Sequence, residues 1–124
     1  MLDKYCAPIE NNVYDLSKAF AIRVVKLFNY LVDSKKEYVM SKQLLRAGTS
    51  IGANVFEGKN AQSRADFTNK MNIALKEASE SGFWIDLLHD TQYISDKEYE
   101  SVFADCKRLI AVLTKIVKAT KPQQ

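Results

Sequence analysis

The chain has 124 residues, 47% of them hydrophobic and 27% charged, with a net charge of +3. This is the balance of one globular domain: too apolar for a disordered chain, with four glycines and two prolines for turns, and without the ~20-residue apolar run that a membrane span requires. The two cysteines, Cys6 and Cys106, stand too far apart for a metal-ligand spacing.

The opening stretch MLDKYCAPIENN lacks the basic region and apolar run of a secretory leader. The cytoplasm is therefore the expected address, and no membrane is expected as a partner. A first helix is predicted over about 12–35, with Asn11 or Asn12 placed to accept from its free N–H groups. Leu16, Phe20, Val24, Leu27 and Leu31 form its apolar stripe. Ile22, Val25 and Val32 fall outside that stripe and mark a second face able to contact another molecule.

A second helix is predicted over about 41–58, with Ser41 as its N-cap and Met40 and Leu45 as a hydrophobic staple. Leu44, Gly48, Ile51 and Val55 recur at 4-3-4 spacing. Two glycines inside a helix, Gly48 and Gly52, each cost about 1 kcal/mol relative to alanine. Close approach of another backbone to Gly48, Gly52 and Ala53 is the simplest compensation. Gly58 is expected to end the helix in the left-handed conformation.

The third helix, about 63–91, opens with Ser63 and Asp66 in a capping-box arrangement. Phe67, Met71, Ala74, Ala78, Ser81, Ile85 and Leu88 then follow as an unbroken heptad seam. Its small residues, Ala74 and Ala78, are expected to face the glycines of the second helix. The fourth helix, about 95–119, has Ser95 and Glu98 as a capping box with Ile94 and Tyr99 as the staple. Tyr99, Phe103, Cys106, Ile110, Leu113 and Val117 make its seam. Val102, Leu109 and Ile116 form a second column, assigned with Ile22, Val25 and Val32 to contacts between copies. Strand signals are missing throughout. Four helices with short connections give an all-α, antiparallel up-and-down four-helix bundle over residues 1–124.

The segments LLRAGTSIGANVFEG, AQSRADFTNKMNIALKEASES and FWIDLL resemble the four-helix-bundle proteins named for intervening sequences in bacterial 23S ribosomal RNA genes. They are also similar to the accessory proteins of diversity-generating retroelements. The likeness spans roughly 15–117 and is densest over 44–58 and 63–88, where two helix-interior glycines flank Thr49-Ser50-Ile51. The resemblance implies a left-turning bundle that assembles into a ring, typically a homopentamer. For the retroelement relatives it also implies a positive surface that engages nucleic acid and a reverse transcriptase. No enzymatic activity is implied for either group.

The charge distribution gives this a physical counterpart. Lys107, Arg108, Lys115, Lys118 and Lys121 close the chain without an Asp or Glu, while the other 13 basic side chains are outnumbered by the 15 acidic ones. At 100° per residue from Lys107, Arg108 lies at about 100°, Lys115 at about 80°, Lys118 at about 20° and Lys121 at about −40°. This continuous arc opposite the apolar columns suits a phosphate backbone of RNA or DNA. It also suits a solvated face, the commoner fate of a charge run and one favoured by the helix dipole near a C-terminus. Arg46, Lys59, Arg64 and Lys70 form a second group, interrupted by Glu57 and Asp66 and expected to make local ion pairs. Phe67, Phe83 and Trp84 are assigned to the core or an interface.

Catalytic chemistry finds little support. The only histidine, His89, has Phe83, Trp84 and Ile85 where a helical-bundle ribonuclease would carry an arginine. Asp86 and Asp90 are the best carboxylate pair, at a spacing common on solvated helices, and no Glu-x-x-His pair is present. No catalytic residue, metal, cofactor or small-molecule substrate is expected. Thr49 and Asn54 are helix-interior polar residues, with Asn54 either setting register or facing solvent. Two functions remain open: a homo-oligomer binding RNA or DNA, and a protein-interaction scaffold or reverse-transcriptase accessory protein without nucleic-acid specificity.

Overall fold

A computed structural model describes the backbone over residues 3–121 and the side chains over 13–121. Four helices follow one another: α1 (Asp3–Asp33), α2 (Met40–Glu57), α3 (Arg64–Asp90) and α4 (Asp96–Thr120), with a 3₁₀ turn at Gly58–Asn60 between α2 and α3. Each helix packs on the next, and α4 returns to α1, closing a four-helix bundle; no strand occurs among the described residues. α1 begins upstream of the expected 12–35 span, so Asn11 and Asn12 lie inside the helix; their side chains, like that of Cys6, are outside the described ones.

The core follows heptad stripes. On α3 the seven seam residues, Phe67 to Leu88, are all buried, as their spacing predicted. On α4 the stripe is shifted. Val102, Cys106, Leu109, Leu113, Ile116 and Thr120 are buried, whereas Tyr99, Phe103, Ile110 and Val117 only flank the core. Both stripes contain Cys106 and Leu113, so 4-3 spacing is satisfied by either phase. On α1 a similar shift buries Val13 and Ser17 and leaves Leu16 and Leu27 at the edge.

The helix ends are set by side chains that satisfy unpaired N–H groups. Ser63 Oγ accepts from Asp66 N at 3.0 Å, and the Asp66 carboxylate reaches back one residue further, to Gln62 N at 3.2 Å. Ser95 and Glu98 form the reciprocal box, with Glu98 N donating to Ser95 Oγ at 3.1 Å and Ser95 N to Glu98 Oε1 at 3.1 Å. α2 departs from expectation, because Ser41 lies within the helix and does not cap it. The buried Glu37 carboxylate accepts from Val39 N, Met40 N and Ser41 N at 3.0, 2.9 and 2.7 Å, and Ser41 Oγ donates back to Glu37 O at 2.8 Å. Burial works to raise the Glu37 pKa, but these bonds to the charged form outweigh it, and the net shift is downward.

The glycines also act differently from expectation. Gly58 is right-handed (φ −58°) and opens the 3₁₀ turn; a Cβ there would lie 2.6 Å from Met71 Cε, so space is what it supplies. Gly48 and Gly52 face α1, not the alanines of α3. A Cβ on Gly48 would come within 2.8 Å of Val24 Cγ2, while one on Gly52 would meet Ser17 O at 3.6 Å. Ala78 is buried on the α4 side instead, its carbonyl accepting from Cys106 Sγ at 3.2 Å, and Ala74 is fully buried in the core.

Candidate nucleic-acid interface

Because the buried stripe of α4 faces α3 and α1, the residues opposite it must face solvent. Lys107, Arg108, Lys115, Lys118 and Lys121 are all exposed, and none has a carboxylate within 4 Å among the described residues. The acidic side chains of the helix, Asp96, Glu98, Glu100 and Asp105, occupy its first half.

The free carbonyls at the end of α4 would place partial negative charge beside these lysines. They are answered from α3. Arg64 Nε donates to Thr120 O at 2.9 Å, and Arg64 Nη2 donates to Ala119 O at 2.8 Å. The Thr68 hydroxyl lies 2.9 Å from the Thr120 carbonyl oxygen and 2.8 Å from its Oγ1. Arg64 therefore caps α4 and leaves Lys118 and Lys121 exposed. The other members of the second basic group are engaged too. Arg46 pairs with Glu80 and, at 3.6 Å, with Glu77, while Lys70 pairs with Glu57 at 2.9 Å, which raises the Lys70 pKa.

Lys59 has aromatic partners. Its ammonium lies 4.1 Å from the Tyr14 ring centroid and 4.6 Å from that of Phe56, and the two rings meet edge to face at 6.1 Å. These rings line a groove of about 200 Å³ between α1 and α2. The exposed Ala53 lines the same groove, away from any tight helix contact. Sequence reading passed over this group; the available signal was Phe56 standing one residue off the apolar stripe of α2.

The residues assigned to contacts between copies divide. Ile22 and Val25 are exposed at 48% and 41%, and Val32 is half-buried. Val102, Leu109 and Ile116 are buried inside the protomer and have no surface to offer a second copy; they are the core stripe of α4. Phe83 is exposed at 57%, not in the core, while Trp84 is half-buried with Nε1 donating to Glu80 at 3.0 Å.

Several other polar residues singled out by the sequence have local partners. His89 stacks on Tyr99 at 4.1 Å and bonds Asp96 at 2.7 Å; Tyr99 donates to Asp86 at 2.5 Å. That hydrogen bond, then burial and the nearby carboxylate charges, pushes the Tyr99 pKa up to about 12. Burial pushes the Cys106 thiol up to about 12 as well, which suppresses the nucleophilic thiolate. Thr49 donates to Leu45 O and Asn54 to Ser50 O, both within their own helix. Among the described residues no three His, Cys, Asp or Glu side chains converge as a metal site would need, and no helix is long and apolar enough to cross a membrane.

The fold places the chain in the class of four-helix-bundle proteins. The sequence profile of the 23S rRNA-intervening sequence proteins matches residues 10–115, and the chain belongs to that family. It is also similar to a solved protein of unknown function from the S23 ribosomal protein family of Bacteroides thetaiotaomicron. The two are 53% identical over 89% of this chain and 98% of the other, with a TM-score of 0.87. No functionally curated protein matches.

Proposed function

We propose that this chain is a non-catalytic, cytoplasmic homo-oligomer, a pentamer by family resemblance, that binds RNA or DNA through phosphate contacts from α4. One observation carries the nucleic-acid reading: five exposed cations from Lys107 to Lys121, four on α4 and one at its C-cap, none with a carboxylate partner among the described residues. An oligomer repeats that face in each copy, which multiplies weak phosphate contacts. Fluorescence anisotropy with a labelled oligonucleotide at two salt concentrations tests it. Binding should weaken steeply as salt rises, and replacing Lys107, Arg108, Lys115 and Lys118 together with Ala should flatten the log–log slope by roughly 3–4. No binding at low salt, or binding indifferent to the four substitutions, ends this reading.

The exposed Ile22 and Val25 favour a second reading, a protein-interaction scaffold or reverse-transcriptase accessory protein that makes no nucleic-acid contact of its own. Both readings require assembly. A light-scattering mass of 14.1 kDa at micromolar concentration, that of one chain, would remove both.

A further inference from the structure

The groove between α1 and α2 combines features that the basic face of α4 lacks. Tyr14 and Phe56 present aromatic surface at its lower end, with Phe56 exposed at 56%, and Ala21, Gly52 and Ala53 keep its walls low. Lys18 lines it and Lys59 bridges the two rings; neither has a carboxylate within 4 Å among the described residues, and no Asp or Glu lines the groove. Flat apolar walls, an open aromatic ring and two cations are what an unpaired base with its flanking phosphates requires. A base within a duplex has both faces stacked on its neighbours and cannot be reached by a surface ring.

The topology connects this groove with α4. α2 ends, α3 begins and α4 ends at one end of the bundle, where Arg64 grips the Ala119 and Thr120 carbonyls. Lys118 and Lys121, Arg64 and Lys59 therefore lie around the same end. A second copy seated in the groove would have to desolvate Lys18 and Lys59, which is unfavourable without carboxylates to meet them.

We propose that the Tyr14–Phe56 groove receives an unpaired nucleobase, so that the ligand is a single-stranded nucleic acid. The inference rests on the nucleic-acid reading above and names its ligand class. Anisotropy with one RNA sequence, as a single strand and as a duplex, separates the two, and 2-aminopurine in the strand reports stacking. The single strand should bind at least tenfold more tightly than the duplex. Phe56→Ala should weaken the single strand about tenfold, abolish the 2-aminopurine change and leave duplex affinity unaltered, whereas Phe56→Trp should restore both signals. Equal affinity for both forms with Phe56→Ala unaffected overturns the groove and leaves the α4 reading standing. Binding to neither form removes the α4 reading and the groove with it. A fall in light-scattering mass on Phe56→Ala reassigns the groove to contact between copies and overturns the proposal.

Discussion

Where α3 meets α4, polar groups find partners along the seam: Arg64 and Thr68 on the end of α4, Cys106 on Ala78, Tyr99 on Asp86 and His89 on Asp96. Where α1 meets α2, the contact is made by removing side chains, with Gly48 against Val24 and Gly52 against Ser17. The consequences reach the surface. The α3–α4 pair leaves Phe83 as its one large exposed apolar side chain among the described residues, while α1, α2 and their connection leave Ile22, Val25, Tyr30, Tyr38, Val39 and Phe56. The pair bonded along its seam thus carries the cationic face, and the pair brought together at its glycines carries most of the exposed apolar side chains. The two halves of one small bundle differ in what they present to solvent: exposed cations along α4, and exposed apolar side chains along α1 and α2.

The largest expected effect lies in the α3–α4 half and distinguishes its two candidate stripes. Leu109→Ala should cost about 2–5 kcal/mol in urea unfolding, whereas Ile110→Ala, at the edge of the core, should cost about 1 kcal/mol. Comparable losses would erase the distinction between core and flank. In the α1–α2 half, Gly48→Ala forces a methyl onto the β-branched, buried Val24 and should cost about 1–3 kcal/mol, despite the gain in helix propensity. Gly52→Ala meets only ordinary van der Waals contact and should stabilise by about 0.5–1 kcal/mol. Two stabilising glycine replacements would show the helices to be further apart than described.

Glu37→Gln should cost about 1–2 kcal/mol near neutral pH, because the amide is a weaker acceptor for three N–H groups. The Glu37 pKa is lowered below its ordinary 4.5, so the contribution of its charged form is complete above that value. It is lost as pH falls through the depressed value in the folded state. The wild-type and Glu37→Gln chains should therefore converge in thermal stability as the solution is acidified below about pH 4.5. The smallest effect on folding belongs to Ile22→Ser, within about 0.5 kcal/mol by urea unfolding. Its readout is mass: light scattering should show partial loss of the assembly, and an unchanged mass would move the contact away from the outer face of α1.

The sequence announced the helices because heptad spacing and Ser-led capping boxes are local signals, and α3 was legible residue by residue. Phase was harder. Two stripes on α4 share Cys106 and Leu113, and the aromatic Tyr99 and Phe103 drew attention from the one that ends in Thr120, a polar residue whose hydroxyl is satisfied only by Ile116 and by Thr68 across the seam. That shift of phase is why Val102, Leu109 and Ile116 were assigned outward. Glycines reveal that something comes close but not which neighbour, so Gly48 and Gly52 were matched to the alanines of α3 instead of α1. Ser41 mimicked a cap, while the working acceptor, Glu37, lies four residues upstream. The basic face of α4 was visible because exposure follows directly from the wheel. The Tyr14–Phe56 groove was not, since its two rings are 42 positions apart in the chain.

The grip of Glu37 on α2 has a kinetic consequence. First-turn amides of a helix ordinarily trade their hydrogens with solvent almost freely, since nothing upstream holds them. Here the N–H groups of Val39, Met40 and Ser41 are all held by one carboxylate. Their deuterium uptake should be slow at neutral pD and accelerate together in Glu37→Gln, marking the α1–α2 connection as a rigid corner from which Tyr38 and Val39 project into solvent.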